Sequence, residues 1–216
     1  MNKVKLSSHW VTVTAPMHRD LDTMAFLLNN CNCKNLCSSI RRPTLTTSHN
    51  TVDACGFGIG GFHNGVVWQS YWPSPMRWMH SNLKELVGAV VHVCRFAPQW
   101  RGYFIQLGSD NTDTIGWITR GSGRPPEIMP WLKLLFWTLM HYDISLEMIY
   151  VPGIQNQLAD CASRFKQQEL ARLLTEWHGS YTPIKLDSTP PDAILFPDRN
   201  TFMEQVGILG DLLQEQ

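Results

Sequence analysis

The sequence predicts an α/β fold: a mixed five-stranded sheet, three antiparallel strands and then two parallel ones, with helices on both faces. Three observations carry this. β-prone runs flank an Asn64-Gly65 dipeptide, the strongest short hairpin signal because both residues accept positive φ. A helix-period stripe follows directly, and after it strand-like and helix-like segments alternate to give the order βββαβααβα. With 216 residues, 44% of them hydrophobic and 11% aromatic, the chain can bury a sizeable core.

The elements follow in order. Residues 1 to about 47 hold one helical pattern, Met17 to Leu28, with Leu21, Met24, Ala25 and Leu28 at 3.6 spacing, and then a polar connector reaching Thr47. Three strands are expected at roughly 49–55, 57–63 and 66–72: Thr51 to Cys55, the Gly-rich run beginning at Gly56, and Val66 to Trp72. Ser81 opens a helix whose stripe is Leu83, Leu86, Val87, Val90, Val91 and Cys94, and which ends before Pro98. Tyr103 to Leu107 reads as a buried strand delivering Ser109 and Asp110 to its C-terminal end. A short helix, Thr112 to Thr119, stops at Gly121; a longer one spans about Pro126 to Tyr142. Leu146 to Val151 is the fifth strand, and after Pro152-Gly153 a last helix begins near Gln157 and extends towards Trp177. From Gly179 the composition turns to Pro, Asp, Ser and Thr before a short amphipathic helix at about 201–214. The expected organisation is a connector over 1–47, the α/β domain over 48–178 and a Pro-rich tail over 179–216. Trp68, Trp72, Trp78, Trp100, Trp117, Trp131 and Trp137 are read as core residues.

Composition excludes several classes. Eighteen Lys and Arg balance eighteen Asp and Glu, so no overall cationic field marks a stand-alone nucleic-acid binder, and any such contact must be local. No apolar run reaches the ~18 residues of a membrane span, and two lysines near the N-terminus lack the apolar stretch of a secretory signal. Six scattered cysteines suggest reduced thiols and an intracellular, cytoplasmic or nuclear setting. Cys31, Cys33 and Cys37 lack the paired arms and regular fourth ligand of a structural zinc site and are read as loop cysteines.

Four acids stand where this element order brings chain ends together: Asp53 in the first strand, Glu85 early in the first core helix, Asp110 at the end of the fourth strand and Asp160 at the start of the last helix. They are too far apart in sequence for a local motif. Each has a local alternative: Glu85 could close a capping box with Asn82, Asp110 could cap a helix, and Asp160 could favour a helix dipole. Asp53 is harder to explain that way, because Asp is disfavoured inside strands. If the four converge, their repulsion requires hard, oxygen-preferring cations, Mg2+ or Mn2+, and two ions about 4 Å apart imply phosphodiester hydrolysis.

The run Thr51-Val-Asp53-Ala-Cys-Gly56-Phe-Gly58-Ile-Gly60, the segment Asn82-Leu-Lys-Glu85-Leu, the run Ser109-Asp110-Asn111-Thr112 and the run from Val151-Pro-Gly153 through Asn156 and Ala159-Asp160 to Ser163-Arg164 resemble, in order and spacing, the ribonuclease H domain of retroelement reverse transcriptases. The nearest likeness is to the DIRS-like, tyrosine-recombinase class of retrotransposons, over about residues 48–165. The resemblance implies a ribonuclease H-like fold and a metal-dependent endoribonuclease that hydrolyses the RNA strand of RNA–DNA hybrids. Asp53, Glu85, Asp110 and Asp160 would be both catalytic residues and metal ligands for two Mg2+ or Mn2+, and Ser109 and Asn111 would contact the strand backbone. Arg120, Arg124 and Lys84 are the expected local cations for the substrate. A polymerase domain, in cis or in trans, is the expected protein partner, and no membrane is involved. Two departures stand out: the loop Pro152-Gly153-Ile154-Gln155-Asn156 lacks the histidine that cellular members often place there, and Cys55 replaces a small hydroxyl residue. The alternatives are a non-catalytic interaction module keeping the same fold, or a DNA nuclease of the same broad fold.

Overall fold

The computed structural model describes residues 12–31, 43–45, 50–72, 76–177 and 185–187. The expected helix at 201–214 lies outside the described residues, as do Cys33 and Cys37. The chain divides into two compact units, Met1–Asn32 with Asp198–Gln216, and Cys33–Pro197. In the first, α1 spans Ala15–Cys31, slightly longer than its periodicity suggests, with Pro16 in the first turn, where a missing N–H costs nothing. Its apolar positions Met17, Leu21, Met24 and Leu28 are exposed.

The second unit is built on a sheet of strand order β5-β4-β1-β2-β3-β6. β1 (Asn50–Ala54), β2 (Gly58–His63) and β3 (Val66–Tyr71) form an antiparallel meander. Its second turn places Asn64 and Gly65 at φ of 44° and 81°, as the Asn-Gly signal requires. β4 (Phe104–Ser109) pairs parallel to β1, and β5 (Ser145–Tyr150) parallel to β4. The five expected strands are therefore present. A sixth, β6 (Lys185–Asp187), adds parallel to β3 from within the segment read as a Pro-rich tail. Three residues are too few for strand alternation to be legible in sequence. At the other end, Leu45 donates to the Phe104 carbonyl, so the sheet unit reaches past 48–178 on both sides.

Strand alternation sorts the two faces. Val52, Ala54, Ile59 and Trp68 point towards α2 (Ser81–Phe96), whose Leu86, Val87 and Val90 are fully buried. α4 (Ile128–His141) packs against α2, with Thr138 Oγ1 3.5 Å from Cys94 Sγ, and buries Trp131, Leu132 and Leu135; α3 (Thr112–Arg120) ends at Gly121 with φ of 65°. On the opposite face, Phe62 and Val67 meet Leu158, Cys161 and Ala162 of α5 (Gln157–Ser163) and Leu170 and Leu173 of α6 (Gln167–Trp177). Trp68, Trp72, Trp100 and Trp131 are buried as expected. Trp78 is 88% exposed in the turn before α2 and corrects that reading.

The single last helix expected from Gln157 towards Trp177 is two helices. The Phe165 N–H donates to the Ala162 carbonyl and the Lys166 N–H to that of Cys161, with Phe165 at φ of 53°. This is a Schellman stop, normally signalled by glycine and here built on phenylalanine. α5 seats closely on β2 because Gly58 and Gly60 carry no side chains. A Cβ at Gly60 would lie 2.5 Å from the Ala162 Cβ and from the Ser163 nitrogen, and one at Gly58 would lie 2.3 Å from the Ser163 carbonyl oxygen.

Beneath α2 lies a buried polar chain. Trp68 Nε1 donates to His92 Nδ1 (3.0 Å), His92 Nε2 lies 2.8 Å from Asn50 Oδ1, and Trp100 Nε1 donates to His63 Nε2 (3.0 Å). Burial holds the His63 imidazole down to about 4, and burial together with the neighbouring His63 and Arg95 holds His92 well below its ordinary value. Both rings are neutral in the fold and gain protons on unfolding, so their contribution is present above pH ~6.5 and is lost as pH falls towards 4.

Two outcomes follow. Gly60→Ala lowers the urea unfolding midpoint by an amount worth about 1–3 kcal/mol, and an unchanged midpoint would mean that α5 does not need this contact. His63→Gln keeps an acceptor for Trp100 without a titrating group. Denaturant midpoints measured from pH 7 to 4 should fall less steeply in this variant, by about 3 kcal/mol over the range.

Candidate metal centre

Asp53 lies within β1 opposite Gly60, Glu85 lies in the second turn of α2, and Asp110 is the residue immediately after β4. These three elements meet at one end of the sheet, and one carboxylate oxygen from each lies within 4.8 Å of the others. The local alternatives do not hold for two of them. His80 caps α2, its Nδ1 accepting from the Asn82 N–H, so Glu85 sits too deep in the helix for a capping box. Asn111 caps α3 through its bond from the Thr114 N–H, which leaves the Asp110 carboxylate free of that task.

Asp53 is 4% exposed, Glu85 partly buried and Asp110 exposed. Burial, with the charges of Asp53 and Asp110, pushes the Glu85 carboxyl up to about 9 against the bond it accepts from the Ala54 N–H. Burial raises Asp53 as well, opposed by a hydrogen bond from the Ser163 hydroxyl and reinforced by the charges of Asp160 and Asp110. Glu85 Oε2 is buried with no hydrogen-bond partner among the described residues. Three convergent carboxylates, two of them resisting ionisation and one with an orphaned oxygen, form an all-oxygen donor set that suits a hard divalent cation. The group can bind a metal ion.

Asp160 is not part of this triad. Its carboxylate is bound by Arg164, one helical turn on, and by Lys166 at 3.1 Å. Burial opposes its ionisation, but the bonds from Arg164 and Lys166 outweigh that and hold the carboxyl below its usual range.

The residues expected at the substrate are placed differently from one another. Lys84 is a correction: it is 5% exposed, and its ammonium donates to the Gly56 and Arg77 carbonyls at 2.7 Å each, tying the β1–β2 turn to the loop before α2. Ser109 is also buried, its Oγ accepting from the Asn111 N–H at 3.1 Å. The Asn111 amide donates to Asn82 Oδ1, while Asn82 donates to Asp113. Ser109 and Asn111 therefore fix Asp110 and couple the start of α3 to that of α2. Arg120 and Arg124 are exposed: Arg120 closes α3 with its guanidinium lying back over Gly116, and Arg124 lies in the loop beyond the helix.

Ser163 was assigned no role from sequence. It is fully buried, and its hydroxyl lies between Asp53 Oδ2 and the Asp160 carbonyl oxygen, 3.0 Å from the latter. The available signal was its i+3 spacing from Asp160, which puts both on one face of α5. Cys55, at the position of the expected hydroxyl residue, donates its thiol to the Ser163 carbonyl at 3.1 Å. The loop that lacks a histidine forms a 3-10 turn, Gly153–Gln155, and a Cβ on Gly153 would come 3.4 Å from Asp110 Oδ2.

Comparison of the sequence with protein-family models and with curated proteins returned no match. No helix among the described residues is long and apolar enough to cross a membrane.

Ser163→Ala removes the bond that orients Asp53 while leaving the three carboxylates in place. Mn2+ affinity, measured by calorimetry, should fall about tenfold, the usual effect of losing a group that orients a ligand. Unchanged affinity would show that Asp53 is positioned without Ser163.

Proposed function

We propose that this chain is a metal-dependent endoribonuclease that hydrolyses the RNA strand of RNA–DNA hybrids, as part of a retrotransposon reverse transcriptase. The observation that carries the reading is the convergence of Asp53, Glu85 and Asp110 within 4.8 Å, from three of the four motifs on which the ribonuclease H resemblance rests. The order of the sheet supports it, since an antiparallel meander followed by two parallel strands is the layout that the resemblance implies.

In this reading Asp53, Glu85 and Asp110 hold the divalent ions, Mg2+ or Mn2+. Asp160, outside the triad and paired with Arg164 and Lys166, would have to exchange those partners to serve as the fourth ligand of a two-ion set. The ions, when bound, supply an activated water and charge stabilisation on the leaving oxygen. The protein's own contribution is preorganisation: Ser163 orients Asp53, the Ala54 N–H orients Glu85, and the Asn82–Asn111 contact keeps Glu85 and Asp110 in fixed relation. Arg120 and Arg124, exposed at and beyond the end of α3, are the cations that would meet phosphates flanking the cleaved bond. A net charge of zero gives little long-range attraction to a polyanion, which favours a tethered polymerase domain as the source of affinity.

The test is incubation with labelled RNA–DNA hybrid, duplex DNA and single-stranded RNA, in Mg2+, Mn2+ or chelator. Cleavage confined to the RNA of the hybrid and abolished by chelator is expected; DNA cleavage, or none from folded protein, would replace the reading. Asp110→Asn should lower hybrid cleavage by about a hundredfold or more, with the circular dichroism spectrum unchanged. Wild-type rates in that variant would remove Asp110 from the reaction.

A further inference from the structure

Beside the carboxylates, on the same face of the sheet as Asp53, lie three aromatic rings that the metal chemistry does not use. Tyr71 and Phe165 stack face to face, with centroids 3.8 Å apart and planes within 5°, and Phe57 lies 6.2 Å from Phe165. Tyr71 is 60% and Phe57 53% exposed, so Tyr71 covers one face on Phe165 and leaves its outer face open to solvent. The arrangement is held against conformational cost. Phe165 occupies the left-handed position that ends α5, where glycine is the usual residue, and its ring fits only because Gly58 has no side chain, a Cβ there falling 2.5 Å from the ring. Strand register fixes the location: Tyr71 faces Gly58, and two residues further along β2 Gly60 faces Asp53. Strand spacing puts Tyr71 about 12 Å from Asp53.

We propose that this ledge stacks an unpaired base of the nucleic acid whose backbone lies in the carboxylate site, so that the enzyme favours hybrids flanked by a single-stranded segment. The inference rests on the nuclease reading above. Nucleic acid is the occupant favoured here because two parallel rings at stacking distance offer a π surface that any base continues, and because the ledge is contiguous with a site suited to a phosphodiester. Bases inside a duplex have both faces covered by their neighbours. Only a terminal or unpaired base can use an open ring, which is what turns the ledge into a preference for junctions.

The experiment measures binding of fluorescein-labelled single-stranded oligonucleotide and of blunt hybrid by anisotropy without divalent metal, and cleavage of blunt and overhang-bearing hybrids with Mg2+. Tyr71→Ala and Phe57→Ala should each weaken single-strand binding about tenfold, the scale of one lost stacking contact. Tyr71→Phe should bind like the wild type. The lower KM expected for overhang-bearing hybrid should disappear in Tyr71→Ala, with kcat on blunt hybrid unchanged. Undiminished single-strand binding in both alanine variants, or an equal loss on blunt and overhang substrates, would overturn the proposal, the first outcome leaving the face to a protein partner. Stacking-dependent binding with no cleavage of any substrate would instead overturn the nuclease reading and leave the ledge standing.

Discussion

The architecture of this site depends on how closely α5 can approach β2. Two glycines two residues apart on one face of the strand, Gly58 and Gly60, remove the side chains that would hold the helix off the sheet. The helix then lies against the strand backbone, and three consequences follow from that one contact: the Ser163 hydroxyl reaches Asp53 in the neighbouring strand, the Asp160 charge is felt at Asp53, and the ring of Phe165 folds over Gly58 onto Tyr71. Glycine in a strand interior ordinarily weakens it. Here the loss is offset by the burial of Leu158, Cys161 and Ala162 against Phe62 and Val67.

Close approach also concentrates negative charge. Asp53, Glu85 and Asp110 share one end of the sheet, and the surroundings are arranged to hold them there. The Ala54 N–H, the Ser163 hydroxyl and the amide contacts among Asn82, Asn111 and Asp113 all fix carboxylates or the helix starts that carry them. Lys84 is the nearest lysine in sequence to Glu85, yet its ammonium is spent on backbone carbonyls rather than on neutralising the acids. The charge of Arg164 offsets the repulsion only in part, since burial and the neighbouring acids still hold the Asp53 and Glu85 carboxyls above their usual range, the condition under which a cation gains from binding.

Much of this was legible in the sequence. The hairpin at Asn64-Gly65, the stripe of α2 and the alternation after it depend on local patterns, and those patterns agree with the tertiary packing. Asp53, Glu85 and Asp110 were recognisable, with Asp160, as a set of four because each is awkward or ambiguous in its local setting and the element order brings together the ends of the elements that carry them. Other features were hidden for definite reasons. The break between α5 and α6 carries a phenylalanine where glycine would have signalled it. The burial of Lys84 depends on the Gly56 carbonyl, distant in sequence, and on the Arg77 carbonyl in the loop before the helix, so a lysine on a helix reads as solvated until the turns that enclose it are placed. The engagement of Asp160 by Arg164 and Lys166 needs the helix end to be known first, since Lys166 reaches back only because the chain turns at Phe165.

The short strand β6 alters what counts as a minimal domain. Its three residues pair with Val66, Val67 and Trp68 and occupy hydrogen-bonding groups that β3 would otherwise present to solvent. A truncation at residue 178, the boundary that composition suggests, would leave the Val66–Trp68 edge of β3 unpaired. Such open margins recruit further chains and seed intermolecular pairing. A segment that looks dispensable thus covers a sheet margin, and a recombinant version of the sheet unit should retain residues 185–187.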